Sequence, residues 1–335
     1  MQKYTIHVGI DVSKKVFDAA FYRHALVLEQ QYKNTPAGVE QLLLDVRRLS
    51  EEHDGSALVC MEHTGLYTHH LKVGLYDTEV ALSVMCAKVI QATFPQRQGK
   101  SDALDARRIG SFARDFEQRI RLYQPRQRTL QLVRHLIAQR KRAVKTKGLY
   151  HTPLKELKTY AANEVYEELS GLTRTVIEQT EQLIRALDRR IRQLILADEE
   201  LHANYRLVCS VAGVGPCLGA ALLLHTNNFT RRSNAAQLAS YGGVAPFKDQ
   251  SGSSRQRPDK VSKKSNRSLK ELLHLGARST IGRGRANQAY YERKVAEGKP
   301  KRAVINAIGN KMIRTVFAVI RSGTMYQRNH QPLIN

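Results

Sequence analysis

Five short segments of strand-forming residues near the N-terminus constrain the fold more than any other feature of the chain. Each is rich in β-branched, aromatic or other apolar residues and is bounded by turn or helix signals. The predicted strands are Thr5–Ile10, Val16–Tyr22, Leu26–Tyr32, Ala57–Met61 and Glu79–Met85. Helical sequence follows the third, fourth and fifth strands, and Thr35 and Pro36 suit the cap and first position of the first helix. Three consecutive strands followed by strand–helix units predict a mixed sheet with helices on its faces.

The middle of the chain, residues 125–201, has a helical pattern. Apolar residues recur every three or four positions through residues 176–195, which predicts a long amphipathic helix. Residues 126–150 form a strongly basic partner, so the two segments are predicted to make a helical hairpin or coiled coil. Breaks are expected at Gly148, Pro153 and Gly171.

The sequence from about Leu207 onward is predicted to be mainly helical. The stretch Gln250–Arg267, rich in Ser, Lys and Arg, is the exception and has the composition of a flexible basic loop. The chain is therefore predicted to be α/β plus α. Its predicted domains are a mixed-sheet domain at 1–124, a helical linker at 125–205 and a C-terminal domain at 206–335.

The balance of charge points to a polyanionic partner. The chain has 54 Lys and Arg against 30 Asp and Glu, a formal net charge of +24, which favours nucleic acid. A membrane surface would instead call for one concentrated basic amphipathic helix, whereas the charge here extends from residue 97 to the C-terminus. We expect no membrane partner, because no apolar run approaches the ~20 residues that span a bilayer. With no signal-peptide pattern and no CxxC motif among the cysteines, we expect a cytoplasmic protein.

Four acidic residues stand at the ends of predicted elements. Asp11 follows the first strand, Glu62 ends the fourth, and Asp102 and Asp105 lie three residues apart at the start of a helix. That spacing places the last two on one helix face, with Cβ atoms ~5–6 Å apart. Converging carboxylates repel one another unless a divalent cation neutralises them. The combination predicts metal-dependent chemistry on a nucleic acid phosphate.

Each acid also has an ordinary interpretation. Asp11 and Glu62 are typical of strand-end turns or solvated surface. Asp102 and Asp105 are typical of a helix N-terminus, where the helix dipole favours acids. Nearby basic residues that could simply pair with the helix acids are Lys100, Arg107 and Arg108.

Two segments of the C-terminal region are candidates for contact with DNA. Gly213 and Gly215 resemble the turn of a helix-hairpin-helix, whose second helix presents free N–H groups to a phosphate; a packing corner between two helices is the alternative. Ser251 precedes a basic run, which is either a flexible loop that grips phosphate or the setting of a serine nucleophile. The candidate nucleic-acid-binding residues of this run are Arg255, Arg257, Lys260, Lys263, Lys264, Arg267 and Lys270.

The order of the elements and the four acids resemble an RNase H/RuvC-like nuclease domain with a DEDD set of acids, a fold whose sites bind two Mg²⁺. Over nearly the whole chain, the resemblance is closer to the DEDD insertion-sequence transposases, the bridge-RNA-guided recombinases of bacterial mobile elements. The segments that carry it are Gly9–Lys14, Glu62–Tyr67, Lys100–Arg107, Ala239–Pro246 and Ser251–Ser254. One departure is that the family usually has Gly after the Ser-Lys of its basic stretch, whereas Lys264 follows Ser262-Lys263 here.

The resemblance implies a particular mechanism and assembly. Asp11, Glu62, Asp102 and Asp105 would hold the Mg²⁺ ions, and Ser251 would attack DNA to give a covalent phosphoserine. The carboxylates of one subunit would meet the serine of another. Dimers would join into a tetramer around donor DNA, target DNA and a structured guide RNA.

Two other functions stay open on the sequence. A RuvC-like nuclease would hydrolyse DNA with water and form no covalent intermediate. A non-catalytic nucleic-acid-binding protein would need neither the four acids nor the serine.

Overall fold

The structure, a computed structural model, divides into two compact units, Met1–Pro125 and Arg126–Asn335. It describes residues 3–53, 55–76, 78–86, 89–90, 93, 101–125, 127–230, 234–251, 255–262 and 265–327, with residues 248–251 and 255–260 described by their backbone alone. The boundary between the units lies beside the predicted end of the first domain. The further division of the second unit at residue 205 stays a prediction.

The first unit is built on a five-stranded mixed sheet, which confirms the predicted fold class. Its strands are β1 (Ile6–Val12), β2 (Val16–Tyr22), β3 (Leu26–Lys33), β4 (Ala57–Glu62) and β5 (Ala81–Met85). Their order in the sheet is β3-β2-β1-β4-β5. The first three strands pair antiparallel, whereas β4 pairs parallel to both β1 and β5.

Capping side chains set where two helices of the first unit begin. The helices are α1 (Pro36–Glu52), α2 (His69–Tyr76) and α3 (Asp102–Asp115), followed by a 3₁₀ turn at Glu117–Arg119. As predicted, Thr35 caps α1: its hydroxyl accepts a hydrogen bond from the N–H of Gly38 at 3.2 Å. The Ser101 hydroxyl accepts one from the N–H of Leu104 at 3.3 Å and so fixes the start of α3.

The two faces of β1 pack differently. Ile6, Val8 and Ile10 point into the main core of the unit, which also contains buried residues of α1 and α2. On the other face, Gly9 lies against the backbone of α3. A Cβ at Gly9 would lie 2.0 Å from the Gly110 nitrogen and 2.3 Å from the Ala106 oxygen, so only glycine allows this contact. The close contact places the first turn of α3 beside the end of β1.

The second unit begins with two long helices, α4 (Arg128–Tyr160) and α5 (Asn163–Leu196), as the helical pattern of this region predicts. Ion pairs of Arg140 with Asp188 and of Lys147 with Glu181 show that the helices run antiparallel. The predicted breaks at Gly148, Pro153 and Gly171 are wrong, because both helices continue through these positions. All three residues are exposed, so water can satisfy the carbonyl that Pro153 leaves without a partner.

The rest of the second unit is mainly helical, as predicted. Its helices are α6 (Glu199–Ser210), α7 (Pro216–Thr226), α8 (Ala235–Tyr241), α9 (Arg267–Ser279), α10 (Gln288–Ala296) and α11 (Lys301–Ser322). The stretch predicted as a flexible basic loop instead contains a β-hairpin, β6 (Pro246–Ser251) and β7 (Arg255–Val261). The antiparallel pairing of these strands supplies backbone hydrogen bonds that composition alone does not reveal.

One helix tests the expectation that no segment is apolar enough to span a bilayer. Among the described residues, Lys301–Ser322 is long and apolar enough to span a bilayer by length and mean hydropathy. The expectation missed this helix because polar residues interrupt its apolar positions, so it contains no long continuous apolar run. Half of its most apolar stretch is buried inside the protein. Since Val304, Ile308 and Val316 belong to the hydrophobic core of the unit, the apolar character of this helix is explained by packing.

Candidate active site

The four predicted acids lie on three elements that meet at one end of the sheet. Asp11 is the penultimate residue of β1, and Glu62 is the last residue of β4. Each is one residue beyond the parallel pair of Ile10 with Met61, so the two acids lie at the same end of neighbouring strands. Asp102 and Asp105 form the first turn of α3, which packs against β1.

Asp11 lies within electrostatic range of the other three acids, and Glu62 lies within range of Asp105. Burial is the largest factor that raises the pKa of Asp11, which reaches about 6, and the charges of Asp102, Asp105 and Glu62 raise it further. A hydrogen bond from the Val12 N–H, at 3.0 Å, partly opposes this shift. Burial and the charge of Asp105 likewise raise the pKa of Glu62. The structure therefore brings together all four predicted acids.

The carboxylates nevertheless do not form a finished metal-binding shell. Among the described residues, no three His, Cys, Asp or Glu side chains are grouped closely enough to hold an ion. The two observations agree, because Coulombic repulsion acts over longer distances than metal ligation. An all-carboxylate set with concentrated negative charge has the donor chemistry that a hard divalent cation prefers. The residues fit such an ion, provided that the side chains move closer together.

The alternative that nearby basic residues pair with the helix acids is true in part. Arg108 forms an ion pair with Asp105, with 2.7 Å between Nη1 and Oδ1. Arg107 pairs instead with Glu29 on β3. Lys100 lies outside the described residues.

A further carboxylate near the site was missed by the sequence analysis. Asp18 on β2 stands directly opposite Asp11 in the antiparallel register, so the two side chains leave the same face of the sheet. Its carboxylate accepts a hydrogen bond from Gln31 Nε2 at 3.1 Å. The short turn between β1 and β2 fixes this register, and pairing the two predicted strands across it would have identified Asp18.

The predicted nucleophile belongs to the second unit. Ser251 is the last residue of β6, and its backbone pairs with Arg255 at the start of β7. The serine is therefore in the last residue pair that joins the two strands. The structure describes only the backbone of four of the predicted residues: Ser251, Arg255, Arg257 and Lys260. Lys263 and Lys264 are outside the described residues. Arg267, which is exposed, and Lys270 lie in the first turn of α9.

The glycine turn between α6 and α7 has a packing role. Gly213 has φ +86°, and a Cβ there would lie 2.6 Å from the Gly276 oxygen on α9. Gly215 precedes Pro216, the first residue of α7. These contacts support the packing-corner alternative for Gly213, and contact of the two glycines with DNA stays a prediction.

Comparison with known proteins places both units in one family. A family model of the DEDD transposases of IS110 elements, described as a transposase, matches residues 8–156. A second model, described as the transposase IS116/IS110/IS902 family, matches residues 205–292. The first match contains the four acids, and the second contains Ser251 and the glycine turn.

Individual relatives agree with the family models. The pilin gene-inverting proteins of Moraxella bovis and Moraxella lacunata are each 26% identical over 333 residues, which cover 96% of this chain and 98% of each relative. The insertion element IS110 uncharacterized 43.6 kDa protein of Streptomyces coelicolor is 33% identical over 143 residues, covering 43% of this chain and 34% of that protein.

The chain belongs to the DEDD insertion-sequence transposases, and it is a DNA transposase/recombinase. This confirms the predicted family and the RuvC/RNase H-like character of the first unit. Enzymes of this class act on DNA, and their DEDD domains generally use a divalent metal. A purely non-catalytic binding function is therefore disfavoured.

Proposed function

We propose that this transposase cleaves and rejoins DNA with Mg²⁺ and a serine nucleophile, at sites chosen by a bound guide RNA. The observation that carries the proposal is the convergence of Asp11, Glu62, Asp102 and Asp105 from separate elements. In a chain with net charge +24, a buried Asp11 whose pKa is raised further by the charges of three other acids has no evident structural benefit. Their cost is explained if they bind a cation at a DNA phosphate.

The four acids would hold two Mg²⁺ ions. Bound ions would neutralise the carboxylates and stabilise the charge that develops on the phosphate and on the leaving oxygen. Asp11 is the most buried partner, at the end of a central strand, and would provide a fixed ligand. Asp102 and Asp105 are on the first turn of α3, so small rotations of their side chains would bring them nearer to it.

Ser251 would supply the nucleophile. A bond would form between its Oγ and the phosphorus while one phosphorus–oxygen bond to a deoxyribose breaks. The serine proton would pass to a nearby base, and the leaving oxygen would take up a proton. The position of Ser251 at the end of β6 supports this role, because the end of a strand can approach a DNA backbone more easily than its middle.

The partners would be donor DNA, target DNA and a structured RNA, bound by dimers that join into a tetramer in the bacterial cytoplasm. The carboxylates of one subunit would act with the serine of another. Phosphate contacts would come from the glycine turn at Gly213 and Gly215 and from the basic run. The basic residues proposed are Arg255, Arg257, Lys260, Lys263, Lys264, Arg267 and Lys270.

The first test is Ser251→Ala with Ser253→Ala as a control from the same segment. The full-length protein is purified with its RNA, and end-labelled DNA from the junctions of the element is supplied with Mg²⁺. Ser251→Ala should reduce strand cleavage by about 10³-fold or more and remove the protein–DNA adduct seen on a denaturing gel. Ser253→Ala should retain both activities.

The alternative, a hydrolytic RuvC-like nuclease, makes the opposite prediction. It would leave cleavage by Ser251→Ala undiminished, with free DNA ends and no adduct in either protein. Sequencing of the co-purified RNA tests the guide separately: a discrete RNA encoded beside the gene supports guided recombination, and an unselected mixture of cellular RNA contradicts it.

A further inference from the structure

Arg108 holds one of the four acids. The arginine lies one helical turn after Asp105 on α3, and its Nη1 lies 2.7 Å from Asp105 Oδ1. The side chains are only partly exposed, 26% for Arg108 and 34% for Asp105, so water screens their attraction incompletely. The pair is therefore stronger than a fully exposed pair on a helix surface.

Asp105 is also the acid whose charge acts on both Asp11 and Glu62. Its charge raises the pKa values of both Asp11 and Glu62, so it lies within electrostatic range of both strand ends. A cation bound between the helix and the strands would need this carboxylate. As long as Asp105 is turned towards Arg108, its oxygen is shared with a guanidinium that already supplies positive charge.

We propose that Arg108 is a positioning residue that competes with the divalent metal for Asp105. In the metal-free protein Arg108 holds Asp105, and metal binding breaks this ion pair and moves the carboxylate towards Asp11 and Glu62. The ion pair thus weakens metal binding in the absence of DNA. This inference rests on the proposed function, since it assumes that the four acids bind a divalent cation.

The neighbouring arginine provides a matched control. Arg107 carries the same charge on the same helix but pairs with Glu29, which is not one of the four acids. Loss of either arginine removes one positive charge from the region and raises cation affinity to a similar extent through long-range electrostatics. A difference between the two variants therefore measures the direct competition for Asp105.

The experiment is a calorimetric titration of Mn²⁺ into the metal-free, full-length protein without DNA. Arg108→Gln should lower the Kd for Mn²⁺ by about three- to tenfold, since the ion need not displace an ion pair. Arg107→Gln should change it by less than about twofold. Arg108→Lys, which keeps the charge but lacks the planar fork, should give an intermediate gain and serves if Arg108→Gln does not fold.

Three further results separate the possible failures. If Arg108→Gln and Arg107→Gln bind Mn²⁺ equally well, or if Arg108→Gln binds it more weakly than the wild type, the competition is refuted while the metal site stands. Asp105→Asn should abolish or strongly weaken Mn²⁺ binding. If the wild type, Arg108→Gln and Asp105→Asn all fail to bind Mn²⁺, the proposed metal site is itself wrong.

Discussion

Glycines have opposite surroundings in two regions of this protein. At the acidic end of the sheet, Gly9 faces the backbone of α3 at a distance that excludes any Cβ. In the helical hairpin of the second unit, an added Cβ at Gly148 or Gly171 would meet nothing within 4 Å. One glycine is required by packing, whereas the other two lie in open space and weaken their helices.

The difference shows where the protein needs exact geometry. The contact between β1 and α3 determines how close Asp11 comes to Asp102 and Asp105. A displacement of α3 from β1 would therefore change the distances between the acids of the candidate active site. The hairpin needs only that two helices stay side by side. Ion pairs such as Lys147 with Glu181, together with apolar contacts, secure that arrangement despite unfavourable residues.

The largest expected effect is that of Gly9→Val. The new side chain would overlap backbone atoms of α3, which cannot move as a flexible side chain can, so the first unit should lose about 3 kcal/mol of unfolding free energy. Urea denaturation followed by circular dichroism measures the loss. Mn²⁺ binding should weaken as well, because α3 can no longer approach β1.

The same substitution at Gly148 is the control for Gly9→Val. Valine has a higher helix propensity than glycine, so Gly148→Val should leave stability unchanged or raise it slightly. Equal losses for the two variants would mean that the contact of β1 with α3 is no tighter than the open surface of the hairpin.

The sequence predicted those features of the fold that depend on local signals. Strand-forming runs located all five strands of the sheet, and Thr35 with Pro36 located the start of α1. The convergence of the acids could also be anticipated, because strand ends and the first turn of a following helix meet at one edge of such a sheet.

Features set by distant contacts could not be predicted. Pro153 and the hairpin glycines are local signals for a break, and pairing of the two long helices overrides them. The strands β6 and β7 are too polar to give an alternating apolar pattern. The choice of partner by Arg107 and Arg108 depends on the position of β3 relative to α3, which sequence spacing does not contain.

A smaller effect is expected for Pro153→Ala. Alanine restores a backbone N–H inside α4. Since Pro153 is exposed and water can already satisfy the carbonyl that it leaves without a partner, the second unit should gain about 1 to 2 kcal/mol of unfolding free energy. Circular dichroism at 222 nm during urea or thermal unfolding reports this gain. A loss of stability would show that the exposed proline makes a favourable contact. The helical hairpin would then depend on the identity of residue 153 and would not simply tolerate a residue unfavourable to helices.

The smallest of these effects is expected at Asp11. It tests whether the charge of the Asp11 carboxylate, rather than the packing of its side chain, limits the stability of this end of the sheet. Its pKa is raised from 3.8 to about 6 in the folded protein, so the fold favours the protonated carboxyl. In EDTA, this contribution to stability is fully present below pH 3.8 and is lost as the pH rises through about 6.

Asp11→Asn removes the ionisable group while keeping nearly the same shape. Above pH 7 and without metal, it should therefore stabilise the first unit by about 1 kcal/mol, after allowance for solvent screening, and near pH 4 the difference should nearly vanish. Urea denaturation of both proteins across this pH range measures the difference. Mn²⁺ should reverse the order by stabilising only the wild type, because asparagine is a poor substitute for a charged ligand. If the difference in stability between Asp11→Asn and the wild type does not change with pH, packing of the side chain and not the charge of Asp11 determines the stability of this end of the sheet.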